Sequence, residues 1–139
     1  EISSGFVEVY RSRMVDGGRI TNIAGPDTLF VCPQSLASDL VVATNNSQAT
    51  EANYRYILTN ANNVILSRNL DNPVIDFDGA MPGRYRIWGV SYTGEFRALA
   101  SDNAATAMLS DSCFQLSANF ISVIVDTPRG GMVAMQCII

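Results

Sequence analysis

The sequence predicts an all-β chain folded as a β-sandwich, and three observations support this fold class. Short apolar runs with period-two alternation recur along the chain. Turn-forming Gly, Pro, Asn and Asp residues interrupt these runs about every 8–12 residues. No segment shows a convincing amphipathic helical pattern, and a length of 139 residues suits a single domain. A small closed barrel is the alternative architecture for the same pattern.

The predicted elements extend from one end of the chain to the other. An Asn-rich turn at 59–63 joins the two halves of a hairpin over 53–68, because Asn tolerates the left-handed region. The segment 98–110 is Ala-rich but flanked by Ser, Asp and Asn, and we interpret it as a loop plus a short strand. The other predicted strands cover 6–10, 28–32, 40–44, 74–77, 84–92, 118–126 and 132–139.

The aromatic residues of these strands have two possible roles. Strand spacing of this kind is typical of an immunoglobulin-like sandwich, which carries a buried Trp. Trp88 is therefore predicted as the core anchor, with Tyr56 and Phe120 as further core residues. Alternate residues of 84–92 face opposite sides, with Arg86, Trp88, Val90 and Tyr92 on one face and Tyr85 and Ile87 on the other. The competing interpretation is a sugar-stacking surface formed by Tyr54, Tyr56, Tyr85, Trp88 and Tyr92.

Charge and composition argue against several classes of function. The net charge is −4, so we expect no nucleic-acid partner, and no apolar run reaches the ~18 residues of a membrane-spanning helix. All nine basic residues are Arg, and the chain contains neither His nor Lys. The usual general base and any Lys nucleophile are therefore missing, and the sequence predicts a protein that is not an enzyme.

Three Asp residues near one turn are the candidates for a metal site. Asp71, Asp76 and Asp78 lie around the segment "DNPVIDFDG", and Ca²⁺ prefers oxygen ligands. Their spacing does not match an EF-hand loop, and Asp in turns usually caps the backbone. The sequence therefore predicts no cofactor and no metal.

The two ends of the chain carry similar sequences, which we call the two copies of the duplicated phrase. Residues 6–20 read "FVEVYRSRMVDGGRI" and residues 120–133 read "FISVIVDTPRGGMV", and a single one-residue gap aligns them. Each phrase holds a strand followed by Gly-Gly and a second strand. A lone sandwich has no place for both copies, whereas a neighbouring molecule with an open sheet edge does.

Three further segments resemble a repeat module of secreted, multi-repeat surface proteins of Bacteroidetes. They are "NYRYILTNANNVIL", "PGRYRIWGVSYTG" and "LSDSCFQLSANFISVIVDTPRGG", and the resemblance covers about Gly17 to Gly131. It implies an immunoglobulin-like fold, an extracellular or cell-surface location and no catalytic activity. The chain departs from the module pattern at Tyr85, where many modules have Cys.

The resemblance and the duplication together divide the chain into three parts. We expect a module at 17–129, preceded at 1–16 by a copy of a last strand and followed at 130–139 by a copy of a first strand. Such extra strands suit head-to-tail assembly, in which a terminal strand joins the sheet of the next subunit. The alternative is that both ends pair within their own domain. The predicted assembly residues are Phe6, Val7, Val9, Tyr10, Met132, Val133, Met135, Cys137 and Ile139.

The three cysteines allow more than one pairing. Cys32 and Cys113 occupy the two Cys positions of the module pattern, so the resemblance implies a disulfide between them. Cys137 then remains in the tail strand, either as a buried apolar residue or as a bridge to another subunit. Cys113–Cys137 is the alternative pair.

The sequence thus favours a non-enzymatic extracellular structural protein. It would be a subunit or repeat of a head-to-tail filament or surface assembly, with other copies of itself as partners. The alternative is an adhesion or carbohydrate-binding module of a larger surface protein, with glycans or other surface proteins as partners.

Overall fold

The computed structural model describes residues 5, 14–32, 40–70, 74–77 and 80–126. Within these ranges the chain is all-β, and no helix occurs in them. The strands are β1 (Ile20–Asn22), β2 (Thr28–Val31), β3 (Leu40–Asn45), β4 (Asn53–Asn60), β5 (Ile65–Leu70), β6 (Val74–Asp76), β7 (Gly83–Tyr92), β8 (Phe114–Leu116) and β9 (Ile121–Val125). The predicted strands at 6–10 and 132–139 lie outside the described residues.

The strands form two sheets. The smaller is antiparallel, with the order β1-β3-β6. The larger has the order β2-β9-β7-β4-β5, and β2 and β9 run parallel. Strand β7 is long enough to pair with β9 over Gly83–Ile87 and, along the same edge, with β8 over Val90–Tyr92. The predicted all-β, sandwich-like fold is confirmed.

The main core lies between the two sheets. Strand β9 shows how it forms: Ile121, Val123 and Val125 alternate with less buried residues and are almost fully removed from solvent. The same period-two alternation places one face of β1, β3 and β6 inside. The core contains Ile20, Val31, Val41, Ala43, Tyr56, Ile75, Phe77, Ile87, Ile121, Val123 and Val125. The prediction for Tyr56 agrees with this location.

A second apolar cluster covers part of the outer face of the larger sheet. Val90 and Tyr92 of β7 pack there under the loop 93–113, which contributes Ala98 and Leu109. Arg68 donates from Nη1 to the Ala98 carbonyl oxygen at 2.8 Å and holds this loop on the sheet. The larger sheet is therefore apolar on both faces at this end.

Trp88 and Phe120 differ from their predicted place in the core. Both are half-buried, and their ring centroids lie 4.9 Å apart on the outer face of the larger sheet. The alternation along β7 decides this, because Ile87 points between the sheets and its neighbour Trp88 must point away. The indole N–H of Trp88 donates to Thr59 Oγ1 at 3.2 Å.

The predicted hairpin is confirmed, and two short elements differ from the prediction. In the hairpin, β4 ends at Asn60, β5 begins at Ile65 and Asn63 has φ 64°. The short strand expected within 98–110 is absent, and this segment consists of turns and irregular backbone with two isolated β-bridges, at Asn103 and Ser110. Strand β8 was not predicted, because three residues carry too little alternation to be recognised without their partner β7.

Candidate functional site

The Gly-Gly pair before β1 lies in a tightly constrained segment of backbone. Gly17 is buried, and a Cβ at this position would overlap the main-chain carbonyl of Leu116. Gly18 has φ +56°, a conformation that side chains rarely adopt. The two glycines therefore have different reasons for being glycine: close main-chain approach for the first and backbone conformation for the second. We call Asp16–Arg19 the junction.

Polar groups from distant parts of the chain bind the junction. The Gly17 N–H donates to Gln115 Oε1 at 2.7 Å, and the Tyr54 hydroxyl donates to the Gly17 carbonyl oxygen at 2.8 Å. The Ala118 N–H donates to the Gly18 carbonyl oxygen at 2.7 Å. These contacts tie the start of β1 to the larger sheet, so the junction is built by tertiary structure.

Asp16 closes the junction through its carboxylate. Oδ1 accepts from the Gly18 N–H at 3.0 Å and Oδ2 accepts from the Gln48 N–H at 2.8 Å. The Asp16 N–H donates to Ser91 Oγ at 3.0 Å. Beside it lies an open cleft of about 470 Å³, lined by Asp16, Gly18, Arg19, Asn46, Gln48, Gln115, Leu116 and Ala118.

Burial of Tyr54 gives this part of the site its electrostatic character. Desolvation raises the pKa of the Tyr54 phenol well above its ordinary value, and the nearby Tyr56 and Asp16 raise it further. The hydroxyl is therefore a hydrogen-bond donor at every physiological pH. Its ring lies against Gly89 of β7, where a Cβ would overlap the phenol.

The predicted assembly residues lie outside the described part of the chain. This applies to Phe6, Val7, Val9 and Tyr10 and to Met132, Val133, Met135, Cys137 and Ile139. The segments that align with them are described. Strand β9 aligns with the predicted strand at 6–10, and β1 aligns with the predicted strand at 132–139.

The predicted Cys32–Cys113 disulfide is wrong, because Cys113 is an exposed free thiol, and the alternative pair Cys113–Cys137 is excluded for the same reason. Cys32 follows β2, whose last residue is level with Gly83 at one end of β7. Cys113 accepts a hydrogen bond from Thr93 just beyond the other end. Strand β7 has ten residues, so about 30 Å separates Cys32 from Cys113. A disulfide needs Cα atoms about 4.4–6.8 Å apart.

Cys113 is expected to react with a thiol reagent in the native protein. Its side chain is exposed, so access does not limit the reaction. Labelling with Ellman's reagent without denaturant should give a fast phase, and Cys113→Ser should remove that phase. A disulfide-linked Cys32–Cys113 peptide in a non-reducing digest would contradict this assignment.

The other candidate residues do not converge on a site. Asp76 is exposed on β6, while Asp71 and Asp78 lie outside the described residues. Across the described ranges, no group of three His, Cys, Asp or Glu residues is placed to hold a metal. The predicted sugar-stacking surface is divided, since Tyr54, Tyr56 and Tyr85 pack toward the main core and Trp88 and Tyr92 pack on the outer face.

Comparison of the chain with protein-family models, curated proteins and solved structures found no match. The resemblance to surface-protein modules therefore rests on the motifs quoted above. No helix in the described part of the chain is long and apolar enough to cross a membrane.

The junction was only partly visible in the sequence. The repeated Gly-Gly marks it, and Asp16 precedes the first copy. The contributions of Tyr54 and Gln115 were missed, since they lie 37 and 98 residues away from Gly17. No local pattern identifies partners at such separations.

Proposed function

We propose that this chain is a non-enzymatic extracellular structural protein, one subunit or repeat of a head-to-tail filament or surface assembly. Neighbouring units join by exchange of terminal strands. The observation that carries the proposal is the duplicated phrase at residues 6–20 and 120–133. Within a single domain, a second last strand and a second first strand are redundant.

The role of β9 supports the idea that the N-terminal copy is an interface strand. Alignment of the phrases places Val7 opposite Ile121 and Val9 opposite Val123. Ile121 and Val123 have no exposed surface. A strand that repeats this pattern is suited to a buried sheet position, and pairing with a neighbouring copy supplies one.

The role of the junction supports the same idea for the C-terminal copy. Gly17 and Gly18 align with Gly130 and Gly131, and Ile20, which is fully buried, aligns with Val133. Both glycines are structurally required in the first copy. Their repetition suggests that the second copy forms an equivalent turn, bound by residues of a neighbouring sheet. Asp16 aligns with Arg129, so the carboxylate cap of the first junction is not repeated.

We further propose that the sandwich is immunoglobulin-like. The order β1-β3-β6 fits strands A, B and E, and β9-β7-β4-β5 fits strands G, F, C and C′ of a variable-type domain. Strand β2 adds an edge strand beside β9. An experimental structure with a different strand order would contradict this assignment.

Electron microscopy of the purified chain tests the proposed assembly. We expect uniform filaments with a repeat of a few nanometres, the scale of one small domain. Deletion of residues 131–139 should abolish them and leave circular dichroism and thermal unfolding unchanged. Compact single particles from the complete chain would contradict assembly. If the deletion variant unfolded, the tail would instead be a strand of the sandwich formed by its own chain.

A pair of substitutions in the tail sharpens this test. Val133 aligns with the buried Ile20, and Ala134 aligns with the exposed Thr21. Val133→Asp should therefore block filament formation, because it would bury an unpaired charge in the acceptor sheet. Ala134→Asp is the matched control and should assemble. Equal effects of the two variants would contradict a tail strand that buries the face of Val133 and exposes the face of Ala134.

A further inference from the structure

No described residue covers the outer face of the larger sheet at the end opposite the loop 93–113. Phe30 of β2 pairs with Ile124 of β9, and Ile124 pairs with Arg84 of β7, so the three lie in one row across the sheet. Phe30 is 50% exposed and Arg84 is exposed. We call this surface the basic face; it consists of Phe30, Arg84, Arg86, Trp88, Phe120 and Ile124.

The basic face combines cations with aromatic rings. The Arg86 guanidinium carbon lies 4.3 Å from the Phe120 ring centroid, and Phe120 packs on Trp88. Beside Arg84 is an open groove of about 630 Å³, whose lining also includes Asp126. Arg and aromatic residues are the types enriched in protein interfaces. Among the described residues of this face and groove, the two guanidinium groups of Arg84 and Arg86 exceed the one carboxylate of Asp126, so their sum is positive.

The opposite side of the sandwich carries an exposed aliphatic surface. Val42 of β3 pairs with Val74 of β6, and Leu40 pairs with Asp76. The Ile23 N–H donates to the Val42 carbonyl oxygen at 2.9 Å, which extends the row past β1. Ile23, Leu40 and Val74 are 69%, 52% and 38% exposed. These residues and Asp76 form what we call the aliphatic face.

We propose that a second copy of this chain docks its aliphatic face onto the basic face of the first. Both surfaces present exposed apolar side chains on one side of a sheet, and sheets pack face to face through such side chains. The exposed Asp76 carboxylate of one face complements Arg84 and Arg86 of the other. The faces lie on opposite sides of the sandwich, so the contact is heterologous and adds copies in one direction. It is separate from the exchange of terminal strands.

Charge exchange between the two faces tests the contact. We expect Arg84→Glu and Asp76→Arg each to weaken self-association of the complete chain by about tenfold or more, because each places like charges together. An equimolar mixture of the two variants should restore association. In the mixture, Asp76 meets Arg84 at one contact, and the two substituted residues meet at the next. The measurement is sedimentation velocity over a range of protein concentrations.

The controls separate this contact from general effects of charge. Glu51→Arg makes the same charge change as Asp76→Arg at an exposed position outside both faces, and should associate as the wild type does. Circular dichroism checks that every variant is folded. A wild-type chain that stays monomeric, single variants that associate normally, or a mixture that fails to recover would each overturn the proposal.

Electron microscopy distinguishes the two proposals from each other. Filaments that persist as single strands in Arg84→Glu, but associate side by side in the wild type, would support both. Filaments that form identically in both proteins would retain strand exchange and overturn the face-to-face contact. Association that is lost in Arg84→Glu but retained after deletion of residues 131–139 would support the face-to-face contact and contradict strand exchange.

Discussion

Replacement of Gly17 by alanine is expected to lower the free energy of unfolding by about 3 kcal/mol, the upper range for overpacking. The added Cβ would overlap the Leu116 carbonyl, and main chain on both sides leaves no flexible side chain to move away. The shift would also strain the hydrogen bond from Tyr54 to the Gly17 carbonyl oxygen. Urea denaturation followed by Trp88 fluorescence gives the measurement.

Gly5 is the matched control for this substitution. A Cβ at Gly5 has nothing within 4 Å. Gly5→Ala should therefore stay within about 0.5 kcal/mol of the wild type, as surface substitutions usually do. If Gly17→Ala were equally neutral, the close approach of the junction to Leu116 would not exist in solution, and the junction would lose its support as an interface element.

Ile121→Ala and Val7→Ala are expected to have different effects although they occupy equivalent positions of the duplicated phrase. Ile121 is fully buried in the main core, so its truncation should lower the free energy of unfolding by about 2–5 kcal/mol. Val7→Ala should leave the unfolding of the single chain unchanged and reduce filament formation, because the proposed partner of residue 7 is another molecule.

Two measurements on each variant decide whether the N-terminal strand pairs with another molecule or within its own domain. Chemical denaturation at low protein concentration reports the fold, and electron microscopy at high concentration reports assembly. If Val7→Ala destabilised the single chain as much as Ile121→Ala, the N-terminal strand would belong to its own domain. The duplication would then reflect a larger sandwich and not an exchange of strands.

The hydrogen bonds of the junction indicate what the repeated Gly-Gly turn would need in order to be stable. Asp16, Tyr54 and Gln115 satisfy the backbone of the Gly17–Gly18 turn within a few ångströms. A second turn of this kind would need partners of its own, since buried main-chain groups left without hydrogen bonds are costly. The proposed acceptor on a neighbouring molecule would supply them.

The sequence by itself determined the position of most of the described strands. Alternation of apolar residues located β7 and β9, because a strand with one buried face must repeat every two residues. The Asn-rich segment 59–63 indicated the hairpin turn, because Asn accepts a positive φ more readily than most residues, and Asn63 has φ 64°. The repeated Gly-Gly marked the position of the junction, because glycine is the residue that close main-chain approach and a positive φ both require.

Only the tertiary structure decided which face of each strand is inside and which distant residues meet. The apolar face of β7 that carries Trp88 could not be distinguished from the face that carries Ile87, because both are covered, one by the small sheet and the other partly by the loop 93–113. Cys32 and Cys113 matched a motif, yet they lie at opposite ends of β7. Pairing across a sheet depends on strand order, and strand order is a property of long-range contacts that local periodicity does not encode.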